Sequence, residues 1–225
     1  MSRRAPIRLP PSHIDLAIAR FCARQAFPGE ERTLRALTVL ADEKTVVAGA
    51  LLYWAYSRLD AVAPAGKREA DRMACAVLVA SALPHVLKHL FDRQRPDRSV
   101  MRGRRRRGIP RSGEPYDSFP SGHAINIGAI AGPLARLVPP HLRPAVWPVL
   151  TLLAASRVLL LAHYPSDVAA GLVLGTFIER VTDQLAPRQV REAKQLLLSP
   201  KRTLRRARHS VAYSRERPAS TVQFR

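Results

Sequence analysis

Apolar and polar positions fall into three regimes along this chain. Residues 13–27, "HIDLAIARFCARQAF", interleave Ile14, Leu16, Ile18, Phe21 and Cys22 with Asp15, Arg20 and Arg24, the pattern of a helix that is apolar along one stripe only. Ser12 followed three positions later by Asp15 marks its start, because a side-chain oxygen at the cap satisfies an amide that the first turn leaves free. Such a helix suits a membrane surface better than a bilayer crossing. Pro28-Gly29 ends it, and Glu30-Glu31 opens a second helix of mixed polarity.

From residue 45 the pattern changes. Segments 45–57, 73–87, 124–135, 144–156 (continued by 158–162) and 168–178 are apolar on all sides, so each must be buried, either in protein or in lipid. None alone reaches the ~20 uncharged residues of a spanning helix. Flanking Arg, Lys and aromatic residues bring most of them to that length, since their polar tips can reach the interface. Small residues recur at Ala129, Gly132 and Ala135, and at Ala169, Gly171 and Gly175, as close helix packing in a membrane requires. No stretch alternates with period two for long, so no sheet is expected. Beyond Leu185 the chain is basic and lacks apolar periodicity, which predicts a partly disordered tail. The pattern thus predicts an all-α, integral-membrane helical bundle in three parts: a basic N-terminus with amphipathic helices (1–43), a membrane-embedded domain (44–185) and a basic cytoplasmic tail (186–225). A soluble all-α bundle is the competing reading.

Composition changes this picture in one respect. The 225 residues carry 37 Lys and Arg against 17 Asp and Glu, a formal net charge of +20. That balance points to anionic partners: nucleic acid, acidic lipid or phosphorylated substrates. The hydrophobic fraction of 47% is ordinary, because basic residues gathered at the ends and in one loop dilute the apolar segments. Cys22 and Cys75 both lie in apolar helical patterns, which predicts core packing rather than a disulfide or metal site. The N-terminal "MSRRAPIRLPP" has no apolar core, so no cleavable signal peptide is expected.

Three short stretches carry chemistry. Lys88, Arg93 and Arg95 close the second apolar segment before Pro96. Lys88 and Arg95 are two helical turns apart, which would set both on one helix face; two fixed cations can clamp a phosphoryl group, the Arg gripping two oxygens. Ordinary anchoring of a membrane helix explains this stretch equally well when it is taken alone. Next, Ser121, Gly122 and His123 follow Pro120. Ser121 is a helix cap, Gly122 allows a ligand close to the backbone, and a helix N-terminus binds anions. His123 in the first turn could donate a proton to a leaving group. The plainer reading is a cap beside a surface histidine. Third, Arg157 lies near the end of an apolar helix, where a charge needs a partner or a function. His163 follows in a Pro-containing turn and Asp167 comes four residues later. An Asp bonded to one ring nitrogen would fix the tautomer and free the other nitrogen as a nucleophile, although the two could also form a turn that caps the last helix.

Together the three stretches resemble the type 2 phosphatidic acid phosphatase superfamily, which is related to the vanadium haloperoxidases. Its pattern, K-x6-RP, PSGH and SR-x5-H-x3-D, reads here as Lys88 to Arg95-Pro96, Pro120 to His123, and Ser156-Arg157 to His163 and Asp167, with no departure. The resemblance covers roughly residues 45–185. It implies a bundle of the acid phosphatase/vanadium haloperoxidase type with five or six helices across the membrane. It also implies a reaction: His163 attacks phosphorus in line, Asp167 orients it, and His123 protonates the leaving oxygen and then activates water. Lys88, Arg95, Arg157, Ser121 and the Gly122 amide would hold the phosphoryl oxygens. No metal or other cofactor is expected: the sequence shows no carboxylate cluster for Mg²⁺, in keeping with the metal-independent catalysis that the resemblance implies. The expected substrate is a lipid phosphomonoester or diphosphate of the phosphatidic acid, phosphatidylglycerol phosphate or polyprenyl diphosphate class. Membrane lipids are the other expected partners, and no specific nucleic acid is expected.

If the motifs face one another, the loop 61–72, the loop 138–143 and the tail lie on the opposite side of the membrane. The basic tail should be cytoplasmic, which directs the site to the periplasm or outside of a bacterial inner membrane. The Arg-rich loop 98–111 would then lie on the site's side and gather anionic headgroups or a polyphosphorylated substrate; the alternative places loop and site in the cytoplasm. Five spans result if neither 13–27 nor 30–43 crosses. Six are expected, with a short or partly interfacial first element. A vanadate-dependent haloperoxidase could use the same residues, but the short chain and apolar helices speak against it. A non-catalytic binder of anionic lipid or nucleic acid leaves His123, His163 and Asp167 unexplained.

Overall fold

The computed structural model describes residues 6–25, 42–59, 62–100 and 114–185, with isolated helical positions at 33, 36 and 39. The tail beyond Leu185, most of the Arg-rich loop 98–111 and most of the candidate element 30–43 lie outside the described residues.

Helix α1 (His13–Gln25) opens with the reciprocal cap foreseen at Ser12: its amide donates to Asp15 Oδ2 and the Asp15 amide to Ser12 Oγ, both at 3.1 Å. Helix α2 (Glu43–Tyr56) is capped by Asp42, whose side chain accepts from the Lys44 amide. Helix α3 (Pro64–Leu87) starts on a proline, well placed where no amide partner is needed, and contains Pro84 in its last turn. A short helix α4 (Pro96–Ser99) precedes the bundle's second half: α5 (Gly122–Leu137), a single 3-10 turn (Pro140–Leu142) leading into α6 (Arg143–Leu159), and α7 (Pro165–Leu185). The expectation of no sheet is corrected on one small point. Ile7–Arg8 (β1) pairs in parallel with Phe91–Asp92 (β2), a two-residue ladder that ties the N-terminus to the segment carrying Arg93 and Arg95.

Helices α5 and α7 form the tightest contact. A Cβ at Gly175 would come within 2.0 Å of the Ile125 carbonyl oxygen, and one at Gly128 within 2.5 Å of the Leu172 oxygen. Glycine at these positions is what lets the two backbones touch. Around this pair, Ala124, Ile127, Ala131, Val146, Leu150 and Ala154 form one buried cluster between α5 and α6, while Ala76, Ala80, Ile125, Ala129 and Ile178 join α3, α5 and α7. At one end of the bundle ion pairs lock these helices: Arg136 reaches Glu69 (2.6 Å) and Glu179 (2.9 Å), and Arg72 reaches Asp183 (2.9 Å). At the other end, α3 and α6 deliver their C-termini and α5 and α7 their N-termini, so that the Ser121 amide donates to the Asp167 carbonyl at 3.2 Å.

Two further expectations are corrected. Cys22 is buried, but Cys75 is exposed on the outer face of α3, so that thiol is not part of the core. Lys88 and Arg95 do not share a helix face, because α3 stops at Leu87 and the chain runs extended through Phe91–Asp92 to Arg95. Among the described residues, two helical stretches, Pro64–Leu87 and Pro140–Leu159, are long and apolar enough to cross a membrane.

Candidate active site

The end of the bundle where the four helix termini meet is also where the motif residues gather. Arg93 and Arg95 leave the short ladder in extended backbone, held by amide bonds from Arg93 N to the Tyr116 carbonyl (2.8 Å) and from Arg95 N to the Pro115 carbonyl (2.9 Å). In an extended strand, alternate side chains leave on the same side; here Arg95 reaches His163 and Asp117, while Arg93 reaches Asp167 and Asp15. Arg95 donates to the Ala162 carbonyl at 2.9 Å, pairs with Asp117 at 2.8 Å and places Nη1 3.4 Å from His163 Nε2. Lys88 reaches the other oxygen of Asp117 at 3.0 Å. The two expected phosphate-clamping cations therefore converge, through Asp117 rather than through helical spacing.

His163 sits in the loop between α6 and α7. Leu161, with φ of 53°, turns the chain out of α6 in the left-handed region, a conformation a leucine adopts only when its surroundings hold it there; it is fully buried. Nδ1 of His163 lies 2.7 Å from the Ser118 carbonyl. A carbonyl can only accept, so Nδ1 carries the proton and Nε2 keeps its lone pair. Burial, followed by the positive charges of Arg95 and Arg157, pushes the imidazole well below its ordinary range, against the opposing pull of the Ser118 carbonyl. That environment favours the neutral ring, with the Nε2 lone pair available.

The expected direct bond between Asp167 and His163 is replaced by a longer arrangement. Asp167 Oδ2 is 4.0 Å from His163 Nδ1, because its oxygens are already engaged. Oδ2 accepts from Ser118 Oγ (2.6 Å) and from the Tyr164 amide (2.8 Å), while Oδ1 pairs with Arg93. Asp167 thus holds the Ser118 residue whose carbonyl orients the ring.

The helix N-terminus completes the site. Ser121, fully buried, accepts from the Ala124 amide at 3.5 Å. A Cβ at Gly122 would make only ordinary contact with Pro84, at 3.5 Å, so protein packing does not require glycine there. His123 in the first turn of α5 has Nε2 3.5 Å from Asp42 Oδ1, the cap of α2. Arg157, near the end of α6, has a buried Nε with no hydrogen-bond partner among the described residues. A buried guanidinium donor left open is costly unless a ligand anion completes it.

Asp117, Ser118, Arg93, Asp15 and Ser166 were not singled out as site residues from sequence. Arg93, one residue short of the RP pair, was noted only as a flanking cation. Its placement two positions before Arg95 in an extended run was the signal that could have found it, once the run was recognised as extended.

One end of the α-helical bundle thus gathers a buried histidine, a cluster of fixed cations and a helix N-terminus, an arrangement able to hold an anion. The model of the PAP2 superfamily matches residues 72–191, more than half of the chain, and the chain belongs to that superfamily. It is 36% identical over 111 residues to the lipid A 1-phosphatases of Rhizobium johnstonii and Rhizobium etli, an overlap of 47% of this chain and of 43% and 45% of theirs. The chain thus spans less than half the length of those relatives. It is 32% identical over 132 residues to the decaprenylphosphoryl-5-phosphoribose phosphatase of Mycobacterium tuberculosis, covering 59% of this chain and 70% of that protein. Among solved structures, Aquifex aeolicus LpxE shares the fold at a TM-score of 0.59 and 18% identity, over 75% of this chain and 94% of that one. The transmembrane PAP2-type phosphatidylglycerolphosphate phosphatase of Bacillus subtilis does so at 0.52 and 21%, over 76% and 85%.

Proposed function

We propose that this protein is a membrane phosphatase that removes a phosphate from a lipid through a phosphohistidine on His163. The observation that carries this reading is His163 Nε2, left unprotonated because Nδ1 faces the Ser118 carbonyl, set 3.4 Å from the Arg95 guanidinium and within the field of the Arg157 charge. Phosphoryl transfer asks little covalent chemistry of a protein beyond a nucleophile; the rest is positioning and charge stabilisation. His163 Nε2 forms a bond to phosphorus as the bond to the leaving oxygen breaks, and His123 supplies that oxygen's proton. Water then attacks the phosphohistidine, giving its proton to His123, and His163 is restored. Lys88, Arg95, Arg157, Ser121 and the Gly122 amide surround the phosphoryl oxygens, while Asp167 acts through Ser118.

The outer faces of the helices support a lipid setting. Leu52, Leu78, Leu152, Val173 and Phe177 are all more than half exposed, on four different helices. Large contiguous apolar surfaces of this kind are not left to water. Trp54 and Arg58 stack at 4.6 Å near the end of α2, and Trp54 donates to Asp71 at 2.8 Å, the aromatic and basic residues expected at a membrane interface. Helix α3, and α6 with the 3-10 turn before it, are the described ones long and apolar enough to cross; with α2, α5 and α7 crossing beside them there are five spans, and six if one element before residue 43 also crosses. The basic tail then lies in the cytoplasm and the site on the far side.

The substrate class follows from the relatives. The relatives named above are a lipid A 1-phosphatase and a decaprenylphosphoryl-5-phosphoribose phosphatase, which supports a phosphate carried on a lipid as the substrate. Purified protein, offered lipid A, phosphatidylglycerol phosphate, phosphatidic acid and polyprenyl diphosphates in mixed micelles, should release phosphate from at least one. Release from none, by protein that is folded, refutes the reading.

A further inference from the structure

Arg93 is a buried cation that touches no part of the phosphate cluster, and its partners define a second polar network behind the site. Its side chain is 5% exposed. Nη1 donates to Ser166 Oγ at 2.8 Å and pairs with Asp167 Oδ1, Nη2 donates to Asp15 Oδ2 at 2.7 Å, and the guanidinium lies 4.8 Å from the centre of the Tyr164 ring. One cation thus faces two carboxylates. Both Nη atoms are partnered, while the buried Nε has no hydrogen-bond partner among the described residues, so removing either carboxylate would leave a buried charge short of partners.

Asp15 is the unexpected member. It belongs to α1, far outside the segment that matches the superfamily model, which begins at residue 72. Yet it is only 2% exposed. Besides Arg93 it accepts from the Ser166 amide (3.1 Å), Ser166 Oγ (2.8 Å) and the Ser12 amide (3.1 Å). Burial raises its carboxyl, but the hydrogen bonds from Ser166 and Ser12 together outweigh that and hold it below the ordinary value, so it is an anion. From Asp15 an unbroken series of contacts leads to the nucleophile. Asp15 holds Arg93; Arg93 holds Asp167; Asp167 accepts from Ser118 Oγ; and the Ser118 carbonyl holds His163 Nδ1.

We propose that Asp15 is a positioning residue for His163: its carboxylate fixes the Arg93 guanidinium and the Ser166 turn, and these hold the Asp167–Ser118 unit that orients the nucleophilic ring. This rests on His163 being the nucleophile, as proposed above. Without the Asp15 charge, Nη2 of Arg93 is buried and unpaired. The guanidinium then turns fully onto Asp167, draws it from Ser118 and lets the imidazole leave its line of attack. The cations that grip phosphate are not disturbed, so substrate binding should be spared while the chemical step slows.

The test uses the full chain and a lipid phosphate that the unaltered protein turns over through a trapped phosphohistidine; if no such intermediate forms, it is the functional reading that fails. In rapid-quench experiments Asp15→Asn should lower the rate constant of phosphohistidine formation by about tenfold to a hundredfold, the scale of a misplaced reacting group. The fraction of sites that become labelled should stay near that of the unaltered protein, with KM within about twofold, since uniform binding is untouched. A merely structural role for α1 would lower the labelled fraction and leave the rate constant of the remaining sites unchanged. That result, or unchanged kinetics, overturns the proposal. Should Asp15→Asn fail to fold, Ser166→Ala removes two of the contacts and keeps both charges. It should slow the same step less, again at unchanged labelled fraction, and an unchanged rate constant there also overturns the proposal.

Discussion

At the scale of the residue, the account turns on one imidazole. His163→Ala should abolish both turnover and the trapped intermediate while leaving the helical bundle intact, checked by phosphate release and circular dichroism. Its ring is depressed well below 6.5, the ordinary imidazole value, by burial first and then by Arg95 and Arg157. As pH falls, the nucleophile is therefore lost only well below 6.5, and the rate constant of phosphohistidine formation should show no acid limb at that value arising from His163. An acid limb near 6.5 that moves to higher pH in Arg157→Gln, where a cation facing the ring is lost, would assign that limb to His163 and contradict the depressed value. The same shift has a stability consequence of defined sign. Below 6.5 the unfolded chain binds a proton at this position that the folded chain does not, so this group lowers stability as pH falls from that value towards the folded one. The motif residues were legible in sequence because each motif is local and its types announce phosphate chemistry. Asp15 and Ser166 were not, because they are 151 residues apart and meet only when α1 docks on the start of α7.

At the scale of the element, apolar runs mark the bundle helices, and caps mark the starts at Ser12 and Ser121. The helix start at Pro64 escapes the apolar pattern because its first turns carry Lys67, Arg68, Glu69, Asp71 and Arg72, of which Glu69 and Arg72 pair with each other and with α5 and α7, and Asp71 pairs with Arg58. The misplacement of Lys88 and Arg95 on one helix face has a comparable cause. Spacing alone suggested two helical turns, whereas pairing of Phe91–Asp92 with Ile7–Arg8 holds the run extended, a tertiary influence that no local pattern reports. The density of small residues was read correctly, and it makes a sharp prediction. Gly175→Ala would force a Cβ to within 2.0 Å of the Ile125 carbonyl oxygen, backbone that cannot rotate away. It should destabilise the protein by at least about 1–3 kcal/mol, the usual penalty of overpacking, read as a lower melting temperature in detergent. Gly49→Ala is the matched control: nothing lies within 4 Å of its Cβ position, and it should be neutral or slightly stabilising.

At the scale of the whole molecule, membrane embedding gives the exposed apolar faces their place. Cys75, the twelfth residue of the 24 in α3, is exposed on the bundle's outer face, which in the proposed arrangement is the middle of the bilayer. In intact vesicles it should resist a membrane-impermeant maleimide and react only after the bilayer is dissolved; rapid labelling in intact vesicles would contradict embedding. Sequence pattern pointed to this setting through apolar segments and their basic and aromatic flanks. It could not show which face of each helix meets lipid, because these segments are apolar all round and only packing distinguishes their sides.

The most direct measurement of the central claim is identification of the phosphorylated residue. The protein would be quenched during turnover of a labelled lipid phosphate and its peptides mapped under alkaline conditions that preserve phosphohistidine. The account predicts the phosphoryl group on His163, absent from His163→Ala. A phosphoryl group on any other residue, or sustained phosphate release by His163→Ala, would contradict it.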